Sequence, residues 1–135
     1  MEYAPEKYNA VVWFEIYVDD LKRAQQFYEK VLNVKLDAVD MPEDEQGQPA
    51  LQMLMFPGGP DKFGASGSLV KMDGVKAGGG NTLVYFSSVD CAVEAGRIEA
   101  AGGKVFRQKF SIGEYGFAAL GVDTEGNMFG IHSMR

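Results

Sequence analysis

Apolar and polar positions alternate most clearly between residues 11 and 18. The even positions of this run are uniformly apolar, and the run is rich in β-branched and aromatic residues, which predicts a β-strand. The acidic pair that follows can cap a helix over residues 21–32, where apolar residues recur every three or four positions. We expect the apolar face of the strand to pack on this helix. The odd positions Trp13, Glu15 and Tyr17 then face the other side of the sheet.

The second half of the chain repeats this plan. A strand-like run at 81–89 is followed by a helical stripe at 92–101 that stops at a pair of glycines. Further strand patterns complete both halves, at 35–41, 50–56 and 66–72 in the first and at 104–110, 115–122 and 127–134 in the second. The pattern therefore predicts the order βαβββ twice.

The two halves are similar in pattern but share few identical residues. An offset of 71 residues aligns Val18 with Val89 and Ala24 with Ala95. The residues aligned in this way with the odd face of the first strand are Val84, Phe86 and Ser88. We expect them to face away from the second helix, as their counterparts face away from the first.

The length of the chain suits one domain. Two independent cores in 135 residues would each lie near the lower size limit. With 46% hydrophobic and 24% charged residues, the composition is that of a globular protein. We predict a single domain over 1–135, with a first module at about 10–73, a Gly-rich linker at about 74–80 and a second module at about 81–134.

The charge and the cysteine content restrict the partners and the compartment. A net charge of −6 repels phosphate backbones and anionic lipid headgroups, so we expect neither nucleic acid nor membrane as a partner. No apolar run approaches the ~18 residues that span a bilayer, and the first residues lack the layout of a secretion signal. The single cysteine, Cys91, agrees with a reducing compartment. These features predict a cytoplasmic protein.

Histidine is also scarce. His132 is the only one in the chain, so a single chain cannot supply a three-His zinc site or a two-His-one-carboxylate iron site. These metal chemistries would need a second chain.

Short motifs follow one another in a characteristic order. Val-Asp-Asp-Leu ends at Leu21, and one residue later the first helix carries Arg-Ala-x-x-Phe-Tyr-x-x-Val-Leu from Arg23 to Leu32. The second half adds motifs at 99–105, 115–118 and 123–127. Over about residues 10–133, the chain resembles the vicinal-oxygen-chelate superfamily, which includes glyoxalase I, bleomycin-resistance proteins and extradiol dioxygenases. Small bacterial relatives of lactoylglutathione lyase look most similar.

The resemblance implies an α+β fold in which two βαβββ modules form a cupped mixed sheet around a cavity. Metal-dependent members of the superfamily place their ligands on the first and fourth strands of both modules. The corresponding positions here are Trp13, Val84, Gly130 and a residue near Gly67 or Ser68. The first three cannot bind a metal ion, so we expect neither the usual metal site nor another cofactor.

Two side chains are candidates for catalysis. Glu15 lies between two rings on the odd face, where a partly desolvated carboxylate could act as a general base or receive a cation. His132 is expected on the same face as Met128 and Gly130, where it could pair with Glu15 as an acid or a metal ligand. The plainer alternatives are a solvated or structurally tied Glu15 and a hydrogen-bonded strand histidine. The candidate ligand-binding residues are Trp13, Tyr17, Phe86, Ser88, Met128 and Gly130.

Three functions are consistent with these residues. The first is metal-free binding of a small organic molecule in the cavity, as in the antibiotic-resistance branch of the superfamily. The second is a lyase or isomerase of glyoxalase type, with Glu15 as the base and a displaced or absent metal site. The third is a dimerising module with no ligand. Members of the superfamily commonly form dimers, so the resemblance implies a homodimer.

Overall fold

Strands and helices follow one another in the order βαβββ twice along the chain. The computed structural model describes residues 5–43, 46–47, 51–78, 80 and 82–135. Within these ranges the elements are β1 Val11–Tyr17, α1 Leu21–Leu32, β2 Asp37–Val39, β3 Gln52–Met55, β4 Ser66–Lys71, β5 Thr82–Ser87, α2 Cys91–Ala95, β6 Lys104–Ser111, β7 Phe117–Val122 and β8 Met128–Ser133. The first residues of the strands predicted at 50–56 and 81–89 lie outside the described residues. The predicted α+β fold class is confirmed.

The chain divides into two compact units. The first unit is Phe14–Thr82, and the second combines the described residues up to Trp13 with Leu83–Arg135. In the first unit the strand order is β2-β3-β4-β1, and β3 runs antiparallel to both β2 and β4. In the second unit the order is β5-β8-β7-β6, with β5 parallel to β8 and the other pairs antiparallel.

Helix α1 begins and ends at residues suited to those positions. The Asp20 side chain accepts a hydrogen bond from the Arg23 backbone N–H at 2.9 Å, which satisfies one donor of the first turn. The helix ends at Asn33, which adopts a left-handed conformation with φ 53°. Its apolar side packs on a buried cluster of Val18, Leu36, Leu54 and Leu69, to which Ile16 of β1 also packs. The even face of β1 therefore lies against α1, as the alternation predicts.

Helix α2 is much shorter than the predicted stripe at 92–101. It spans five residues, because Gly96 follows Ala95 and the chain continues in turns. Its cap Asp90 accepts hydrogen bonds from the Ala92 backbone N–H at 3.0 Å and from Lys109 Nζ at 2.9 Å. The Lys109 bond is the main reason that the pKa of Asp90 lies below its usual range.

The core of the second unit forms around α2. Its buried members are Cys91, Ala95, Ile98, Ala119 and Ile131. Cys91 is fully buried, and its backbone N–H donates to Ser133 Oγ at 3.0 Å. This cysteine is a structural residue of the core.

The structure corrects the internal repeat by one residue. The two helix caps, Asp20 and Asp90, are 70 positions apart, whereas the pattern favoured an offset of 71. The strands agree with the caps, since Val18 N–H donates to the Val70 carbonyl and Ser88 N–H donates to the His132 carbonyl. Because strand side chains alternate with period two, a slip of one residue exchanges the two faces of β5.

No helix among the described residues is both long enough and apolar enough to cross a membrane.

A glycine in each unit lies under an aromatic ring. A Cβ atom at Gly67 would lie 2.4 Å from the Phe14 ring, and one at Gly130 would lie 2.3 Å from the Tyr85 ring. Both distances are too short for any side chain. Each ring therefore covers the backbone of the neighbouring strand.

We predict that Gly67→Ala lowers the free energy of unfolding by roughly 1–3 kcal/mol, because the methyl group would overlap the Phe14 ring. The matched control is Gly59→Ala, where nothing lies within 4 Å of the added atom and a change within about 0.5 kcal/mol is expected. Urea unfolding of the two variants measures the difference. Equal unfolding free energies would contradict the close contact.

Candidate functional site

The candidate site lies on the face of the first unit's strands that points away from α1, which we call the distal face. It is defined by the following side chains: Glu15 and Tyr17 of β1, Ser68 and Val70 of β4, and Met53 and Met55 of β3. Leu54 and Leu69 point to the α1 side, so their strand neighbours point the other way. The register agrees, because Met53 pairs with Val70 and Met55 pairs with Ser68.

Glu15 and Tyr17 form a buried hydrogen-bonded pair. The Tyr17 hydroxyl donates to Glu15 Oε1 at 2.9 Å, and each residue is only 8% exposed. Burial raises the pKa of Tyr17 well above its usual range, and the nearby Glu15 carboxylate and the hydrogen bond raise it further. The phenol therefore stays protonated as a donor to the carboxylate. Glu15 lies opposite α1, as predicted.

The strand register places Ser68 beside Glu15. In the second unit, the bond from Ser88 N–H to the His132 carbonyl accompanies the pairing of Ser87 with His132. The equivalent bond in the first unit joins Val18 N–H to the Val70 carbonyl, so Tyr17 pairs with Val70. Two residues earlier on both strands, Glu15 therefore pairs with Ser68. Neighbouring strands lie about 5 Å apart, so the two side chains are direct neighbours on the distal face.

The Ser68 hydroxyl is unusual among the described residues. Ser68 is 0% exposed, and its Oγ has no hydrogen-bond partner in the part of the chain that the structure describes. A buried polar group without a partner costs about 1–3 kcal/mol, so such groups call for an explanation. A ligand that bonds to Ser68 would supply one.

His132 lies in the second unit, on the face predicted for it. Ile131 belongs to the core around α2, and Phe129 packs against that core, so Met128, Gly130 and His132 point to the opposite side of β8. His132 Nε2 lies 2.6 Å from the Tyr115 carbonyl oxygen and donates its hydrogen to it. This bond matches the plainer expectation of a hydrogen-bonded strand histidine. The acid-base couple of Glu15 and His132 stays a prediction.

Two predicted ligand-binding residues face the wrong side. Phe86 pairs with Ile131 and its ring contacts the Phe129 ring at 6.0 Å between centroids, so it points toward α2. The Ser88 hydroxyl donates to the Glu94 carboxylate of α2 at 2.5 Å. The cause is the one-residue error in the repeat. The residues of β5 that face away from α2 are Tyr85 and Ser87, together with Leu83.

Phe86 instead lines a cavity on the α2 side of the second unit. This cavity has a volume of about 410 Å³, and its wall includes Phe86, Ile98, Phe129 and Ile131, with Arg97 and Asp123 also in the lining. Sequence reasoning missed it, because the helical stripe predicted a continuous helix where the chain forms turns.

The donor set does not fit a chelated metal ion. The described residues contain no group of three or more His, Cys, Asp and Glu side chains that could hold one. With the offset of 70, the counterpart of Trp13 is Leu83 instead of Val84, and Leu83 has no donor atom either. On the distal face, the oxygen atoms come from one carboxylate, one phenol and one hydroxyl, fewer charged ligands than a divalent site requires.

Comparisons with known proteins match the start of the sequence and the whole fold. Residues 10–43 match the family described as bleomycin resistance protein-like N-terminal. The fold is similar to that of Streptomyces coelicolor methylmalonyl-CoA epimerase, solved with 2-nitronate-propionyl-CoA, with a TM-score of 0.61, 13% identity, and coverage of 90% of this chain and 94% of that one. This is the fold of the vicinal-oxygen-chelate superfamily, as the resemblance of the sequence implies.

Other solved structures agree on the fold. Mycobacterium tuberculosis methylmalonyl-CoA epimerase matches with a TM-score of 0.60 and 12% identity, over 90% of this chain and 85% of that one. An uncharacterised Methanosarcina mazei protein matches with a TM-score of 0.56 and 14% identity, over 91% and 92% of the two chains. No protein of curated function matches the sequence significantly.

We predict that Tyr17→Phe lowers the free energy of unfolding at pH 8 by about 1.5–3 kcal/mol, since a buried carboxylate loses a donor. The pH dependence also changes. A tyrosine in the unfolded chain loses its proton at about pH 10, whereas the raised pKa keeps Tyr17 protonated in the native protein. The contribution of Tyr17 to stability is therefore complete below about pH 10 and is lost as the pH rises further.

Urea unfolding between about pH 8 and pH 11 measures both effects of Tyr17→Phe. The variant should lose stability less steeply than the wild type above pH ~10. Tyr115→Phe is the control, because the Tyr115 side chain is exposed and its contact with His132 uses the backbone carbonyl. Identical profiles for Tyr17→Phe and Tyr115→Phe would contradict the buried pair.

Proposed function

We propose that this protein is a member of the vicinal-oxygen-chelate superfamily that binds a small organic cation on the distal face of its first unit, without a catalytic metal. The observation that carries the proposal is the buried Glu15 carboxylate, held by the Tyr17 hydroxyl on the side of β1 away from the helix. A fixed carboxylate in surroundings of low polarity attracts a positive charge more strongly than one in water.

The neighbouring groups favour the same class of ligand. The Tyr17 ring offers an aromatic face next to the carboxylate, and Trp13 precedes Glu15 by two residues in the sequence. The net charge of −6 raises the local concentration of cations and lowers that of anions. An aromatic or aliphatic cation therefore matches both the site and the surface.

Two methionines provide an adaptable wall. Met53 and Met55 lie on the distal face and are half-buried. A thioether side chain has several rotatable bonds and adjusts to irregular shapes, so these residues could move to admit a ligand. Such a wall suits a bulky organic molecule better than a small polar one.

A thioester of coenzyme A fits this site less well. The S. coelicolor epimerase was solved with such a compound, which carries several phosphate charges. The distal-face positions of β1, β3 and β4 in the first unit carry no cationic side chain among the described residues, and Lys71 lies on the α1 side. We therefore propose a ligand of opposite charge.

A second candidate is an isomerase or lyase of glyoxalase type, with Glu15 as the base. The buried position of Glu15, held by the Tyr17 hydroxyl, favours it, because a general base acts from a fixed position beside the substrate. The structural likeness to epimerases supports the same class of reaction. In this case Glu15→Gln would abolish turnover while substrate binding remains.

The assembly and location proposed with this function are a homodimer in the cytoplasm, each chain forming one domain of two βαβββ modules. Sedimentation of the purified protein at micromolar concentration tests the assembly. A monomer would refute that part of the proposal.

We predict saturable quenching or enhancement of Trp13 fluorescence on titration with benzyltrimethylammonium or benzamidine. Neutral benzamide should bind at least tenfold more weakly, a difference of about 1.4 kcal/mol. Dialysis against a chelator should leave the dissociation constants unchanged. The absence of a saturable signal with both cations would refute the proposed function.

Glu15→Gln is the decisive variant, because it keeps the shape of the side chain and removes its charge. We expect it to raise the dissociation constants of both cations at least tenfold. Glu114→Gln is the matched control, since it removes the same charge from an exposed turn of the second unit. Equal weakening by both variants would assign the effect to net charge and contradict a site at Glu15.

A further inference from the structure

We infer that Ser68 selects, at this site, cations that carry an N–H group. The inference rests on the proposed function and adds to it the class of cation. Glu15 would hold the positive charge, and the neighbouring Ser68 Oγ would accept a hydrogen bond from an N–H of the same group. Amidinium, guanidinium and primary ammonium ions satisfy both contacts, and a quaternary ammonium ion satisfies only the first.

Two independent contacts establish that Ser68 and Glu15 are neighbours. The hydrogen bond from Val18 N–H to the Val70 carbonyl, at 2.9 Å, sets the parallel register of β1 and β4. The position of Gly67 beneath the Phe14 ring gives the same register one pair earlier. Both require Ser68 to lie beside Glu15 with its side chain on the distal face.

Another buried serine, Ser133, provides a comparison for the Ser68 hydroxyl among the described residues. Ser133 is also almost fully buried, at 1% exposure, on the fourth strand of its own module. Its Oγ accepts a hydrogen bond from Cys91 N–H at 3.0 Å and donates to the Arg135 carbonyl at 2.8 Å. Ser68 has the same burial and no such partners among the described residues. The Ser133 hydroxyl thus makes two hydrogen bonds within the fold, whereas the described residues offer none to the Ser68 hydroxyl.

The chemistry of the two acceptors determines the selection. A carboxylate accepts hydrogen bonds and attracts positive charge whether or not the cation carries hydrogens. A hydroxyl has no charge, so it contributes to affinity only through a hydrogen bond. Removal of the Ser68 hydroxyl should therefore weaken an N–H cation and leave a quaternary ammonium ion unaffected.

The test is a titration of wild type, Ser68→Ala and Ser133→Ala with two probes. Benzamidine carries N–H groups, and benzyltrimethylammonium carries none. We expect Ser68→Ala to raise the dissociation constant of benzamidine at least fivefold and that of benzyltrimethylammonium less than twofold. Ser133→Ala should change neither constant.

Unfolding in urea provides a second readout that distinguishes a ligand contact from a structural role. Ser68→Ala should be at least as stable as the wild type, because it removes a buried hydroxyl that has no partner in the described chain. Ser133→Ala should be less stable, because it loses two hydrogen bonds. A Ser68→Ala protein as destabilised as Ser133→Ala would overturn the inference.

The outcomes separate this inference from the proposed function. If both cations bind the wild type, and Ser68→Ala weakens the binding of both equally or of neither, the inference about Ser68 is wrong and the proposed cation site is retained. If neither cation binds the wild type, the proposed function fails and the inference fails with it. Selective loss of benzamidine binding supports both.

Discussion

The arrangement of both units depends on the parallel pairing of the strand before each helix with the last strand of the same module. One backbone hydrogen bond marks the pairing each time, from Val18 to Val70 and from Ser88 to His132. The strand side chains alternate between two faces, so the register decides at once which residues pack on the helix and which point away. The side chains of Glu15, Tyr17 and Ser68 share a face for this reason.

The order of elements could be predicted from the sequence because it depends on local signals. Alternation between residues 11 and 18, the caps before both helices and the turn residues between strands each act over a few positions. The register of the repeat depends on a finer comparison. With few identities between the halves, the apolar residues of β5 match those of β1 at an offset of 71. The positions of Asp20 and Asp90 as caps, and the strand hydrogen bonds of Val18 and Ser88, give an offset of 70 instead.

The same distinction explains which parts of the site could be predicted. Glu15 and Tyr17 are two residues apart on one strand, so alternation alone places them on one face. Ser68 reaches Glu15 only through the pairing of strands more than 50 residues apart, and its lack of a partner is a property of packing. The bond from His132 to the Tyr115 carbonyl also joins residues that are far apart for a local signal, 17 positions in sequence. Neither leaves a local signal in the chain.

The unequal length of the two helices has a consequence for how each unit unfolds. A helix of five residues is far too short to persist by itself, so α2 exists only while the surrounding core holds it. Melting of α2 and loss of that core should therefore be one cooperative event. The twelve-residue α1, with its own caps, is able to fray from its ends while its middle turns remain. The cavity next to α2 is therefore lined by residues whose secondary and tertiary structure should be lost together.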